Sequence, residues 1–188
     1  MNQKNPAREN IVTVVFSVLI FLGVRVLRTP WPLSSGGQFL HLGHVFVLLA
    51  LLNVDMVKAG VAALAAFILN SVLSGNFGAI PGILICTIIN CLAAGTVYGI
   101  WMDQDEMTRK EDMVVKAKAI LLYSALSILV DRAWTSWSLM HSGTKVGAAA
   151  FASITSALPV IVNAVITVIG AAVLFLPVCG ICKRILKG

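Results

Sequence analysis

Long apolar runs separated by short turn-forming segments constrain this chain more than any other feature. The first run covers residues 11–27, a segment rich in Pro, Ser and Gly follows it, and further runs extend to residue 178. A transmembrane helix needs about 20 predominantly apolar residues. With 59% hydrophobic and 12% charged residues, the chain has too little polar surface for a water-soluble domain. The pattern therefore predicts an all-α integral membrane protein.

The apolar runs predict a single domain, residues 1–188, built as a six-transmembrane-helix bundle. The approximate spans are 11–28, 40–53, 56–74, 79–101, 118–140 and 146–178. The sixth run is longer than one crossing needs and contains Pro159, so we expect an outer helical or re-entrant piece before the last helix. The stretch 102–117 carries most of the acidic residues and is predicted to be a cytoplasmic loop or solvated helix.

The distribution of Lys and Arg predicts the orientation. With the N-terminus inside, ten of the 14 basic residues face the cytoplasm: Lys4, Arg8, Lys58, Arg109, Lys110, Lys116, Lys118, Lys183, Arg184 and Lys187. The other four lie outside: Arg25, Arg28, Arg132 and Lys145. The positive-inside rule then places both termini in the cytoplasm. The net charge of +6 is explained by this orientation, and no basic-aromatic motif for nucleic acid accompanies it.

Polar and aromatic residues recur on one face of the predicted fifth helix. They are Asp131, Trp134, Ser138 and His141, at helical spacing. An ionisable group in hydrocarbon costs at least about 2.5–3.5 kcal/mol, so such a group usually faces the bundle interior and often marks function. This face predicts a pocket for a small aromatic ligand. Alternatively, Trp134 and Trp137 belong to an interfacial aromatic belt.

The ionisable residues in the outer half of the predicted bundle allow two further interpretations. Arg25 and Asp131 lie at similar calculated depths, so we predict an ion pair between them, with direct ligand binding by Asp131 as the alternative. The histidines His41, His44 and His141 also lie on the outer side. With Asp131 they could form a cobalt, nickel or zinc site. Polar capping or pocket lining is the commoner role, and we expect no bound metal.

The expected role of each asparagine side chain depends on its predicted depth in the membrane. Asn90 is near mid-span, where helix–helix packing is its expected role. Asn70 and Asn163 fall in the outer halves of their helices, so they are candidates for ligand contacts. Asn76 and Phe77 add an amide and a ring in the outer turn beside them.

Motifs for catalysis are absent from the sequence. It has no phosphate-binding G-x-x-x-x-G-K-[ST] loop, no H-E-x-x-H and no G-x-S-x-G. We therefore expect a chain that is not an enzyme and does not hydrolyse ATP itself.

Several segments together resemble a known family. They are FLHLGHVFVLLALL at 39–52, KAGVAALAA from Lys58, NSVLSG at 70–75 and AIPGIL at 79–84. Leu42-Gly43 after Gly36-Gly37, and the P-x-x-x-N step from Pro159 to Asn163, add to the likeness. In these residues the chain resembles the substrate-binding S components of energy-coupling factor (ECF) vitamin transporters. It departs from the family at Ser71, where an acidic residue is common.

The resemblance implies a mechanism. An S component binds its ligand near the extracellular face and closes the pocket with its first loop, here at Gly36, Gly37 and Gln38. It docks on a transmembrane coupling protein that carries two cytosolic ATPase subunits, and topples in the membrane to deliver the ligand. Thr13 and Ser17 are the candidate contacts to the coupling protein. The implied location is a bacterial plasma membrane, with several membrane passes and no cofactor.

The resemblance is nearest to the branch that includes hydroxymethylpyrimidine and pyridoxine-type transporters. Tryptophans with amides and hydroxyls suit a small heteroaromatic ligand. We therefore expect a heterocyclic vitamin or precursor. Thiamine, riboflavin, a queuosine precursor, pantothenate, folate and a transition metal ion remain alternatives.

Overall fold

Helices account for nearly all of the regular structure in the residues that the computed structural model describes, which are 6–31, 39–102 and 109–187. The helices are α1 (Pro6–Arg25), α2 (Gly43–Leu51), α3 (Met56–Leu73), α4 (Ile80–Met102), α5 (Arg109–His141), α6 (Val146–Thr155) and α7 (Leu158–Lys187). Five of the described helices, α1, α3, α4, α5 and α7, are long and apolar enough to cross a membrane. The chain is therefore an all-α membrane protein, as its hydropathy predicts.

A short pair of antiparallel strands was not predicted. Strand β1 (Arg28–Pro30) pairs with β2 (Phe39–His41), and Arg28 lies opposite His41. The pair connects the end of α1 to the start of α2. β1 therefore falls in the predicted loop after the first span, whereas β2 takes the first two residues of the predicted span 40–53.

Helix α1 runs parallel to α3. At their starts, Lys58 Nζ lies 2.5 Å from Glu9 Oε2. At their ends, the Arg25 guanidinium donates to Ser74 Oγ at 2.8 Å. The segment between these helices must therefore return through the bundle, and α2 forms the middle of that return.

Helix α2 is shorter than the predicted span 40–53. Its nine residues rise about 14 Å, less than half of the roughly 30 Å hydrocarbon core. Val45, Val47 and Leu49 have no exposed surface. Protein therefore surrounds this helix on all sides, and α1, α3 and α7 all contact it. A hydropathy pattern cannot separate burial in protein from burial in lipid.

The predicted cytoplasmic loop is partly helical. Residues 109–117 belong to the first turns of α5, and residues 103–108 lie outside the described structure. Lys116 Nζ lies 2.6 Å from Asp112 Oδ2 and 4.9 Å from the centroid of the Phe175 ring. The contact with Phe175 connects the start of α5 to the C-terminal half of α7.

The predicted sixth span is divided into two helices. α6 ends at Thr155, and α7 begins at Leu158 with Pro159 in its first turn, where the missing N–H of proline breaks no helical hydrogen bond. The Arg132 guanidinium on α5 donates to the Ser153 carbonyl at 2.9 Å, and Ser153 Oγ donates to the Arg132 carbonyl at 2.8 Å. The short helix α6 is therefore held against the second half of α5.

Small residues bring α1 and α3 close together. The alanines at positions 59, 62, 63 and 66 are all at most 2% exposed. Ser17 Oγ on α1 donates to the Ala62 carbonyl on α3 at 3.2 Å, and Thr13 Oγ1 donates to the Glu9 carbonyl of its own helix. The hydroxyl of Ser17 thus contributes to packing inside this chain.

Candidate ligand-binding site

A cavity of about 520 Å³ opens at one end of the bundle. Its volume falls in the range of about 300–1,000 Å³ that is typical of small-molecule sites. It lies between the ends of α1 and α3, the start of α4, the second half of α5 and the β1–β2 pair. The lining residues are Val24, Arg28, Phe39, His41, His44, Phe67, Asn70, Ser71, Asn76, Ala79, Gly82, Ile83, Cys86, Thr87, Asp131 and Trp134.

Six of the eleven residues predicted to bind substrate line this cavity. They are His41, His44, Asn70, Asn76, Asp131 and Trp134. They come from β2, α2, α3, the turn after α3, and α5, so separate parts of the chain meet at one place. The other five, Phe77, Trp137, Ser138, His141 and Asn163, are not among its lining residues.

The two histidines of the cavity are held by defined hydrogen bonds. His41 Nδ1 accepts the backbone N–H of Gly43 at 3.3 Å, so the proton of the neutral ring lies on Nε2. His44 Nδ1 lies 2.9 Å from the hydroxyl of buried Tyr123, and its ring centroid is 5.4 Å from those of His41 and Phe67. Among the described residues, no group of three or more His, Cys, Asp or Glu side chains could hold a metal ion.

His41 is kept neutral by its surroundings. Burial, with smaller contributions from the neighbouring His44 and Arg28 side chains, lowers the pKa of His41 from 6.5 to about 3. Protonation therefore opposes folding. The resulting stabilisation is complete above pH 6.5 and is lost progressively as the pH falls from 6.5 towards 3.

We therefore expect the melting temperature of the detergent-solubilised chain to fall between pH 6.5 and pH 4 more steeply than that of a His41→Gln variant. Thermal unfolding followed by tryptophan fluorescence at a series of pH values measures both slopes. Equal slopes would show that His41 does not titrate as its burial requires.

The acidic residue of the cavity is paired with its neighbour in sequence. Asp131 Oδ2 accepts hydrogen bonds from Arg132 Nε at 3.1 Å and from Arg132 Nη2. The guanidinium of Arg25 instead donates to Ser74 at the C-terminal end of α3. The predicted Arg25–Asp131 pair is therefore wrong. Asp131 is paired with Arg132, and Arg25 bonds to Ser74.

Trp134 on α5 packs directly against Gly82 on α4. A Cβ atom on Gly82 would be 2.3 Å from Trp134 Nε1, so only glycine leaves room for the indole at this position. The rings of Trp134, Trp137 and His141 then follow one another along α5, with centroid separations of 4.9 and 5.3 Å. Trp137 is 50% exposed, which leaves the aromatic-belt interpretation open for that residue.

The rest of the predicted α5 face extends past the cavity. Ser138 and His141 are exposed, because α5 continues to the turn at Gly143, where φ is +94°. Phe77, in the turn before α4, is 63% exposed. Of the four residues on the predicted α5 face, Asp131 and Trp134 line the cavity, whereas Ser138 and His141 lie beyond its end.

Asn163 supports the cavity from behind strand β2. Its Oδ1 accepts the backbone N–H of His41 at 3.0 Å, and its Nδ2 donates to the Phe39 carbonyl at 3.1 Å. One amide thus satisfies two backbone groups of β2 and attaches the strand to α7. This geometry makes Asn163 a positioning residue for the two lining side chains of β2.

Replacing Asn163 by Leu removes both of these bonds. We expect ligand binding to weaken by about tenfold, since each hydrogen bond contributes roughly 1 kcal/mol and the strand would lose its register on α7. Asn163→Asp keeps the acceptor for His41 and should have a smaller effect. Asn53→Leu is the control, because the Asn53 amide bonds to Leu49 at the other end of the bundle. Isothermal titration compares the variants, and unchanged binding by Asn163→Leu would exclude the positioning role.

Some lining residues were not predicted. Phe67, Asn70 and Ser71 share one face of α3 at i, i+3 and i+4, so extending the periodicity argument from Asn70 would have found its neighbours. Arg28 could not be found in this way. Its guanidinium lies 4.4 Å from the centroid of the Phe39 ring across the β1–β2 pair, and the sequence did not predict that strand pairing.

The remaining predicted site residues have other surroundings. Gly36, Gly37 and Gln38, predicted to form a gating loop, lie outside the described residues. Thr13 and Ser17, predicted to contact a coupling protein, make the internal hydrogen bonds given above.

No protein-family model, curated protein or solved structure matches the chain.

Proposed function

We propose that this chain is the substrate-binding S component of an ECF-type transporter that takes up a small heterocyclic vitamin or precursor. The observation that carries the proposal is the cavity, which combines aromatic rings, amides and neutral imidazoles at one end of a membrane bundle. Such a lining holds a flat heteroaromatic ring by stacking and satisfies its polar edge. The sequence resemblance to S components supplies the class of transporter.

The proposed topology has six crossings. The backbone N–H of Leu42 donates to Gly23 near the end of α1, whereas the backbone N–H of Asp55 donates to Glu9 near its start. Residues 42–55 thus extend along α1 from its C-terminal end to its N-terminal end. On this argument α2 and the residues after it form a crossing, although α2 alone is too short for one.

Both described ends of the chain lie at the end of the bundle opposite the cavity. Arg8 Nη1 on α1 donates to the Ile185 carbonyl on α7 at 3.4 Å. The excess of Lys and Arg near these ends supports a cytoplasmic location for them. The cavity then opens to the outside, as uptake into a bacterial cell requires.

Transport would rely on partners. In this proposal a transmembrane coupling protein and two cytosolic ATPase subunits drive delivery, and this chain contributes ligand recognition and the toppling movement. The internal hydrogen bond of Ser17 argues against its assignment to the coupling-protein contact. The ligand class favoured by the resemblance is hydroxymethylpyrimidine-like or pyridoxine-like.

Native mass spectrometry of the full chain, purified gently from membranes, tests the ligand assignment directly. We expect a retained small molecule that fragmentation identifies as a nitrogen heterocycle. Radiolabelled uptake in cells that also express an ECF coupling protein and its ATPases tests transport. ATP-dependent uptake that needs this chain supports the proposal, whereas the absence of both a bound heterocycle and such uptake would overturn it.

A further inference from the structure

Two residues that line the cavity lie directly opposite each other on the β1–β2 pair. Arg28 of β1 is the register partner of His41 of β2, and side chains that are opposite each other in an antiparallel pair share one face. The backbone N–H of His41 bonds to Asn163 on α7, so Arg28 and His41 do not exchange backbone hydrogen bonds. Side chains approach most closely in pairs of this type. Arg28 and His41 therefore form one patch of the cavity wall.

Both side chains of this patch have N–H groups left for a ligand. His41 Nδ1 accepts the N–H of Gly43, so Nε2 carries the proton. Nε2 is not among the buried, unpaired side-chain atoms of the described residues, so it keeps accessible surface. Arg28 is exposed, and its guanidinium lies 4.4 Å from the centroid of the Phe39 ring. A guanidinium has five N–H donors, so this ring contact leaves donors for other partners.

The charges of the cavity wall do not balance. Of the lining residues, Arg28 and Asp131 are charged at neutral pH. Asp131 is paired with Arg132, so its charge is already compensated. Arg28 forms no ion pair within the described part of the chain. An uncompensated positive charge beside a second N–H donor favours an oxyanion over a neutral or cationic group at this patch.

Resting on the proposed function, we propose that the ligand is a heteroaromatic ring that carries a carboxylate or phosphate group, which the Arg28 guanidinium and the Nε2–H of His41 bind. Both groups offer the same chemistry, a negative charge with acceptor oxygens. The ring lies in the same cavity, whose wall includes Trp134 and Phe67. Arg28 selects acidic heterocycles against their neutral amides and alcohols, because a charge-assisted hydrogen bond is roughly twice as strong as a neutral one.

Matched ligand pairs test the charge preference on the unmodified chain by isothermal titration at neutral pH. Nicotinate is compared with nicotinamide, pyridoxine 5′-phosphate with pyridoxine, and the phosphate ester of 4-amino-5-hydroxymethyl-2-methylpyrimidine with the parent alcohol. The first pair tests a carboxylate and the other two test a phosphate. We expect the anion of at least one pair to bind at least about tenfold more tightly than its neutral counterpart.

The outcomes separate this inference from the proposed function. If neutral members bind as tightly as the anions, or more tightly, in every pair, the acidic group is excluded, and the proposed function stands because a heterocycle still binds. Absence of binding by all six compounds would count against the proposed ligand class and this inference together.

Variants then locate the preference. Arg28→Gln should bring the two affinities of a pair to within about threefold, whereas Arg28→Lys, which keeps the charge, should retain most of the preference. Arg28 is exposed, so both variants should keep the melting temperature of the unmodified chain. Arg25→Gln is the matched control, because it removes a positive charge that bonds to Ser74 and does not line the cavity. A preference that survives Arg28→Gln, or that Arg25→Gln reduces equally, would contradict the role of Arg28.

Discussion

Replacing Trp134 by Ala is expected to weaken ligand binding by about 10- to 100-fold, since stacking of a heteroaromatic base on an aromatic side chain contributes roughly 1–3 kcal/mol. Trp134, on α5, lines the cavity. Its loss would remove one apolar wall and admit water. Isothermal titration with the heterocycle identified by native mass spectrometry measures the change.

Trp137 provides the matched control. It lies one turn further along α5, is half exposed and does not line the cavity. We expect Trp137→Ala to change the affinity by less than about threefold, as for other substitutions at exposed positions. Equal losses in the two variants would show that the indoles act through the membrane interface, and no loss in either would exclude Trp134 from the site.

Gly82→Ala should reproduce the effect of Trp134→Ala while leaving the indole in place. The added Cβ atom would lie 2.3 Å from Trp134 Nε1 and 2.7 Å from Cε2, so the ring would have to move. Gly78→Ala is the control, because a Cβ atom there meets nothing within 4 Å. A normal affinity in Gly82→Ala would show that the exact position of the ring does not matter.

The sequence predicted the long helices well and the short one poorly, for a physical reason. A helix in contact with lipid must be apolar over about 20 residues, and this length is visible in α1, α3, α4, α5 and α7. Helix α2 is apolar because other helices enclose it. Its apolar run therefore carries no information about membrane thickness, and the predicted span 40–53 exceeded the helix.

The candidate site was predictable as a set of helix faces but not as a set of contacts. Spacing placed Asp131 and Trp134 on one face, and both line the cavity. Ion pairing depends on how chain segments meet in space, which spacing along the sequence does not show. Arg25 was therefore predicted as the partner of Asp131, although Asp131 pairs with Arg132. The role of Asn163 was hidden for the same reason, because it depends on a strand pair that the sequence pattern does not indicate.

Gly43 is a position where we expect even the smallest added side chain to destabilise the fold. A Cβ atom there would lie 2.3 Å from Val24 Cγ2, 3.2 Å from His41 Nδ1 and 3.3 Å from Phe67 Cε1. Val24, His41 and Phe67 all line the cavity. The L-G step that contributes to the family resemblance therefore has a local explanation. Gly43 opens α2 in the narrow space between α1, β2 and α3.

Gly43→Ala should lower the free energy of unfolding by about 1–3 kcal/mol, the usual cost of overpacking a filled core, and should weaken ligand binding as well. Gly147→Ala in α6 is the control, because nothing lies within 4 Å of a Cβ atom there and alanine favours helix. Thermal unfolding in detergent, with and without ligand, measures both effects.

The contact with Val24 makes the cause of this loss testable. In the double variant Val24→Ala, Gly43→Ala the closest clashing atom is removed, so the loss should be smaller than the sum of the two single losses. Strict additivity would mean that Gly43 is required for backbone freedom rather than for close packing of α1 against α2. A stable Gly43→Ala variant with normal binding would contradict the close approach of the two helices at the cavity, and with it the position of the His41 ring beside Gly43.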